Sequence, residues 1–196
     1  MKNCIKYTLV AVLFICFSCN KDDDSPISPA IIYVEENPLN GYLGTSGYSQ
    51  DQVSMINNTL IEAGFSFVPT VTGKINSVVV WIPQVNNSVR VTIWDNSTQN
   101  PIRTEIVNVT NANVPAKKEI EPLFLTKDKE YSITMNTDDY YLKTKSNGTA
   151  AVYPITVNNL KVTSYRETLG SSQVFPDGTQ PDYYSGNCSF NFQRTE

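Results

Sequence analysis

Aromatic and carboxylate side chains are the residues of this chain best suited to meeting a ligand. Trp94 falls out of phase with Val89, Val91 and Ile93, so in a strand its indole lies on the face opposite that apolar stripe. Two roles fit the position: stacking on a sugar ring, or capping the sheet edge beneath a loop. Tyr140-Tyr141 and Tyr183-Tyr184 are adjacent pairs. An extended backbone sends the two rings of each pair to opposite faces, so one can pack inside while the other meets solvent. Solvent-facing tyrosines near asparagine amides suit a glycan or protein contact surface, with cross-strand packing as the alternative. Trp94, Tyr140, Tyr141, Tyr183 and Tyr184 are therefore the candidate ligand-binding residues. Trp81, in a strand that is apolar on both sides, reads as core.

The chain has no histidine. That removes serine–histidine and cysteine–histidine nucleophile pairs, histidine general bases and histidine metal ligands. Asp138-Asp139 and Asp177/Asp182 offer oxygens of the kind calcium takes, but no run has Asp-x-Asp-x-Asp-Gly spacing. No metal site, cofactor or catalytic residue is assigned. The same carboxylates would serve a glycosidase only if the fold brought two of them together across a cleft.

Residues 1–18 carry a different chemistry. Lys2 and Lys6 precede a short apolar run, Tyr7 to Phe17, which suits an export signal better than a membrane span. The sequence Cys16-Phe17-Ser18-Cys19 puts a small residue directly before a cysteine and resembles a bacterial lipoprotein signal. A plain secretory signal with an incidental cysteine is the alternative. The resemblance implies cleavage before Cys19, diacylglycerol on its thiol and acylation of the new amine. Several acyl chains together form a stable anchor where one would be marginal. Lys21-Asp22-Asp23-Asp24 resembles the surface-export signal of Bacteroidota lipoproteins, and such a run also serves as a solvated tether. Residues 19–30, with Pro26 and Pro29, form a flexible spacer ahead of a domain over 31–196. Losing Lys2 and Lys6 leaves 13 basic and 19 acidic residues, a net charge of −6. So acidic a body disfavours nucleic acid as a partner. Past Cys19 only Cys188 remains, so the fold lacks an internal disulfide, and alternation with Phe190 and Phe192 marks Cys188 as buried.

From Ile31 onward apolar residues recur with period two. Strands are expected at Ile31–Glu35, Leu60–Val68, Lys74–Ile82, Ser88–Asp95, Ile102–Val109, Glu119–Leu125, Tyr131–Asn136, Tyr140–Lys145, Leu160–Arg166 and Cys188–Arg194. Lys74–Ile82 is apolar on both faces and is expected to be covered on both. Gly41–Asn58 reads as loop with at most one helical turn. About ten short strands without an organising helix describe a single all-β, antiparallel, jelly-roll-like sandwich.

Gly64-Phe65-Ser66-Phe67, Val91-Thr92-Ile93-Trp94-Asp95, Tyr131-Ser132-Ile133 and Tyr184-Ser185-Gly186 with Phe190-Asn191-Phe192 complete the pattern. Over residues 60–194 they resemble a bacterial domain of unknown function common in secreted and surface proteins. The resemblance implies a sandwich of jelly-roll or carbohydrate-binding-module type and brings no activity with it. The function expected is a non-enzymatic binding module, lipid-anchored in the outer membrane at the cell surface, with glycan or another surface protein as partner. The alternatives are an assembly subunit of a surface complex and, third, a hydrolase.

Overall fold

The computed structural model describes residues 31–196. The expected export signal, Cys19, the Lys21–Asp24 run and the expected tether lie outside the described residues. In chain order the elements are α1 (Leu39–Ser46), β1 (Asp51–Met55), β2 (Ile61–Pro69), β3 (Gly73–Val80) and β4 (Asn86–Asp95). Next come β5 (Asn100–Val109), β6 (Ala116–Leu125), β7 (Tyr131–Thr137) and β8 (Tyr140–Thr144). The last are β9 (Ile155–Val157), β10 (Leu160–Leu169), β11 (Tyr183–Tyr184) and β12 (Cys188–Arg194).

These strands make an antiparallel all-β sandwich. The larger sheet has the order β5-β4-β7-β2-β10-β9, and two three-stranded sheets, β12-β3-β6 and β1-β8-β11, complete the set. Alternation explains the core. On one face of the larger sheet Phe65 and Phe67 of β2, Val89, Val91 and Ile93 of β4, and Ile133 and Met135 of β7 are all buried. They meet Val78 and Val80 of β3 and Phe190 of β12, with the Phe67 and Phe190 rings 4.5 Å apart. Each such side chain contributes roughly 1.5–3 kcal/mol by leaving water. Cys188 is buried within this core, and burial pushes its thiol up, so it is an inert apolar residue.

A β-bulge between Val162 and Ser164 changes what β10 presents. Leu160 and Val162 face the core before it; after it Tyr165 does, so Glu167 and Leu169 follow Tyr165 to the inner side. This one extra residue positions the site described below.

The other face of the larger sheet is polar, yet it is also buried. Glu62 accepts from Arg90 at 2.7 Å and from the Thr134 hydroxyl, and the Trp94 indole N–H donates to Thr134 Oγ1 at 2.8 Å. Burial raises the Glu62 carboxyl, opposed by Thr134 and then Arg90. Segment 170–182 covers this network. Its Phe175 ring meets Trp94 nearly edge-on at 5.8 Å, and its Gln173 amide donates to Thr104 and Thr92.

Three sequence expectations need correction. Ile31–Glu35 is not a strand: Ile31, Ile32 and Val34 are exposed, and only Glu36 bridges to Phe192. Gly41–Asn58 is not mainly loop: it holds most of α1, which begins at Leu39, and an edge strand. β3 is central in its sheet but fully covered on one face alone, with Val79 and Trp81 half-buried on the other.

Candidate functional site

A cleft of about 820 Å³ opens where the larger sheet and the β1-β8-β11 sheet part. That size suits a small ligand. Glu167, Thr168 and Leu169 of β10 and Ile61 of β2 line one side; Met55 of β1, Tyr140 and Leu142 of β8, and Tyr183 of β11 line the other. Asp177, Gly178 and Asp182 close it from the covering segment. That segment is fastened at two points. The Glu167 N–H donates to Gly178 O at 3.0 Å, and Pro181 O accepts from the Ala151 N–H at 2.6 Å and from the Tyr48 hydroxyl.

Glu167 organises the polar part. Its two carboxylate oxygens accept separately, one from the Tyr183 hydroxyl and the other from the Tyr165 hydroxyl at 2.9 Å. The Tyr165 ring also meets Tyr183 edge-on at 5.8 Å. Tyr183 is therefore held by a hydrogen bond at its tip and an aromatic contact on its body. Burial and then the Glu167 carboxylate push the Tyr183 hydroxyl up, and the same two causes raise Tyr140. Both stay neutral donors at physiological pH. Asp177 and Asp182 stand exposed at the rim. Leu142, Ile61, Met55 and Leu169 give the cleft an apolar wall.

The candidate tyrosine pairs separate as strand geometry requires. Tyr140 and Tyr183 line the cleft, while Tyr141 and Tyr184 turn to the other face. Tyr184 is 0 % exposed, its ring 5.1 Å from Tyr42 and its hydroxyl donating to Gly186 O. Tyr141, 2 % exposed, packs on Trp81 and donates to Asn113, with the Lys143 ammonium 5.2 Å above the Trp81 ring. Trp94 is 1 % exposed. A solvent-facing role is thus corrected for Trp94, Tyr141 and Tyr184, because the sandwich core or the 170–182 segment covers their rings, and Tyr140, 9 % exposed, borders the cleft as a largely buried ring.

Asp138 and Asp139 belong to a turn rather than the cleft; Asp139 Oδ1 accepts from the Asn57 N–H at 2.9 Å. Among the described residues no group of three His, Cys, Asp or Glu side chains is arranged to hold a metal ion. Among the same residues no helix is long and apolar enough to cross a membrane. Sequence reasoning missed Glu167, because the bulge reverses its face. It also missed the apolar wall, which is assembled from four separate strands. Comparison of the chain with protein-family models and with curated proteins finds no match.

Proposed function

We propose that this protein is a lipid-anchored, cell-surface binding module that holds a saccharide in the cleft between its larger sheet and the β1-β8-β11 sheet. The observation that carries the reading is the fixed Tyr183 ring beside Glu167, with Tyr140 on the same wall as Tyr183 and apolar side chains adjoining. A sugar ring needs such a pair of environments: an aromatic or apolar surface for its C–H groups and acceptors for its hydroxyls. A ring held before the ligand arrives loses little entropy on binding. The Ser18-Cys19 junction supplies the anchor and the acidic run after it the route to the surface.

Three carboxylates around one cleft also favour a second reading, hydrolysis of the bound glycan. Against it, Glu167 is engaged at both oxygens, while Asp177 and Asp182 stand in water rather than in the apolar pocket a general acid needs.

The test is a glycan array followed by calorimetry on the full chain in detergent. Tyr183→Ala should weaken binding roughly tenfold through loss of stacking, and Trp94→Phe should leave it unchanged. An array without hits overturns the saccharide reading; equal binding by Tyr183→Ala overturns the cleft. Release of reducing ends on incubation would move the assignment to the hydrolase.

A further inference from the structure

Charge is distributed unevenly around this cleft. Glu167, Asp177 and Asp182 line it, and among the described residues no lysine or arginine does. Three basic residues on or beside the lining strands are turned elsewhere for visible reasons. Lys143 lies over the Trp81 and Tyr141 rings on the far face of β8. Lys145, just past that strand, donates to Ala150 O at 2.8 Å. Arg166, next to Glu167, points to the opposite face of β10, its guanidinium 5.4 Å from the Phe175 ring. No cation among the described residues therefore neutralises the three carboxylates from within the cleft.

We infer that the cleft selects its ligand by charge, taking a neutral or cationic saccharide such as an amino sugar and rejecting uronic or sulfated ones. The inference rests on the saccharide reading above for the identity of the ligand, and on the lining alone for its charge. A ligand charge about 8 Å from one of these carboxylates, at an effective dielectric of about 30, changes affinity roughly tenfold at low salt. An anionic sugar would also bury its charge without a partner, which adds to the penalty. The apolar wall sharpens the choice. Leu169 lies two residues beyond Glu167 on the same face of β10, about 7 Å along the strand. A ligand filling the cleft thus meets carboxylate at one part and hydrocarbon at another, so an ammonium or hydroxyl-bearing head on an apolar body fits it best.

The experiment titrates the full chain in detergent with three oligosaccharides of equal length. They are chitopentaose, its fully deacetylated counterpart and pentagalacturonate. At about 20 mM salt the deacetylated sugar is expected to bind at least tenfold tighter than the galacturonate, with chitopentaose between them. The spread should shrink toward 500 mM salt as screening lengths fall below the charge separation. Asp177→Asn/Asp182→Asn, both exposed substitutions, should compress it severalfold with the fold intact by circular dichroism. Equal or tighter binding of the galacturonate, or a spread that the double variant leaves untouched, overturns the charge inference and keeps the saccharide reading. If no sugar binds, a second pair of probes decides. Hexylammonium and hexanesulfonate share a tail and differ in head charge. Tyrosine fluorescence responding to the first alone upholds the charge inference while the saccharide reading falls. Equal response to both, or to neither, overturns it.

Discussion

Asp95 closes β4 with its carboxylate gripped from several directions. Lys129 Nζ lies 2.7 Å from one oxygen; the Ser97 hydroxyl and backbone N–H donate to the other at 2.6 and 2.9 Å. Lys129 first, and Ser97 after it, hold the carboxyl at about 2 against an ordinary 3.8. A carboxyl that titrates lower folded than unfolded favours folding when charged. Its contribution is present above pH ~4 and lost as the pH falls toward 2. Because the Lys129 side chain is 41 % exposed, solvent screens the pair, and the contribution is about 1 kcal/mol. Asp95→Asn should therefore lower urea-unfolding stability by about that much at pH 7 and by almost nothing at pH 2. A gap that persists at pH 2 would assign the effect to the Ser97 turn rather than to charge. Tyr183 and Tyr184 make the complementary point at the same scale. One peptide bond separates a ring that lines the cleft from a ring in the core, and alternation alone makes the difference.

Among the elements, two glycines let the layers approach. A Cβ on Gly186 would lie 2.4 Å from the Gly64 Cα and backbone nitrogen, and one on Gly64 would meet the Ile133 carbonyl. The link between β11 and β12 thus crosses β2 backbone against backbone, and no side-chain rotation relieves an added methyl. Gly186→Ala should destabilise the protein by about 3 kcal/mol or more in chemical denaturation. Gly44→Ala, within α1 and with open space around it, should be neutral or stabilising by up to about 1 kcal/mol. Comparable losses from both would refute the crossing as the cause. The motifs at Gly64 and Gly186 were visible in the sequence, but their meeting was not, since it joins segments over a hundred residues apart. Strands with one apolar face, such as β2, β4 and β7, were legible because apolar and polar residues alternate along them, even though the polar face is buried as well. β1 was not, with four of its five residues exposed, nor were β9 and β11, which are too short to show a period. In the site, alternation implied that each tyrosine pair divides, though not which member faces the cleft. Glu167 stayed hidden because the bulge in β10 inverts the parity that Leu160 and Val162 announce.

At the scale of the molecule, the open question raised by any sandwich is what its edges do, and an assembly subunit would present one for a partner strand. The edges here are poor templates. β9 spans 3 residues and β1 spans 5. β6 is longer, but its ladder with β3 is interrupted between Glu119 and Leu123, where Pro122 lacks a donor. Lys117, Lys118, Glu119 and Glu121 place charge along it, and Phe124, though 68 % exposed, has Lys74 as its neighbour across the ladder. β5 carries Pro101 near its start and ties Glu105 to Lys118 of β6 at 2.8 Å, so the two long edges restrain each other. At β12 the outer side is already taken in part by Glu36, which exchanges both backbone hydrogen bonds with Phe192. Self-repulsion from the acidic body works in the same direction. Sedimentation velocity on the full chain in detergent should accordingly find one copy per micelle from about 1 to 100 µM, at low and at moderate salt. Reversible growth with concentration would mean that an edge pairs after all. Substituting Pro122→Val, which restores a donor and a strand-forming residue to β6, is expected to produce that growth in a protein that otherwise lacks it.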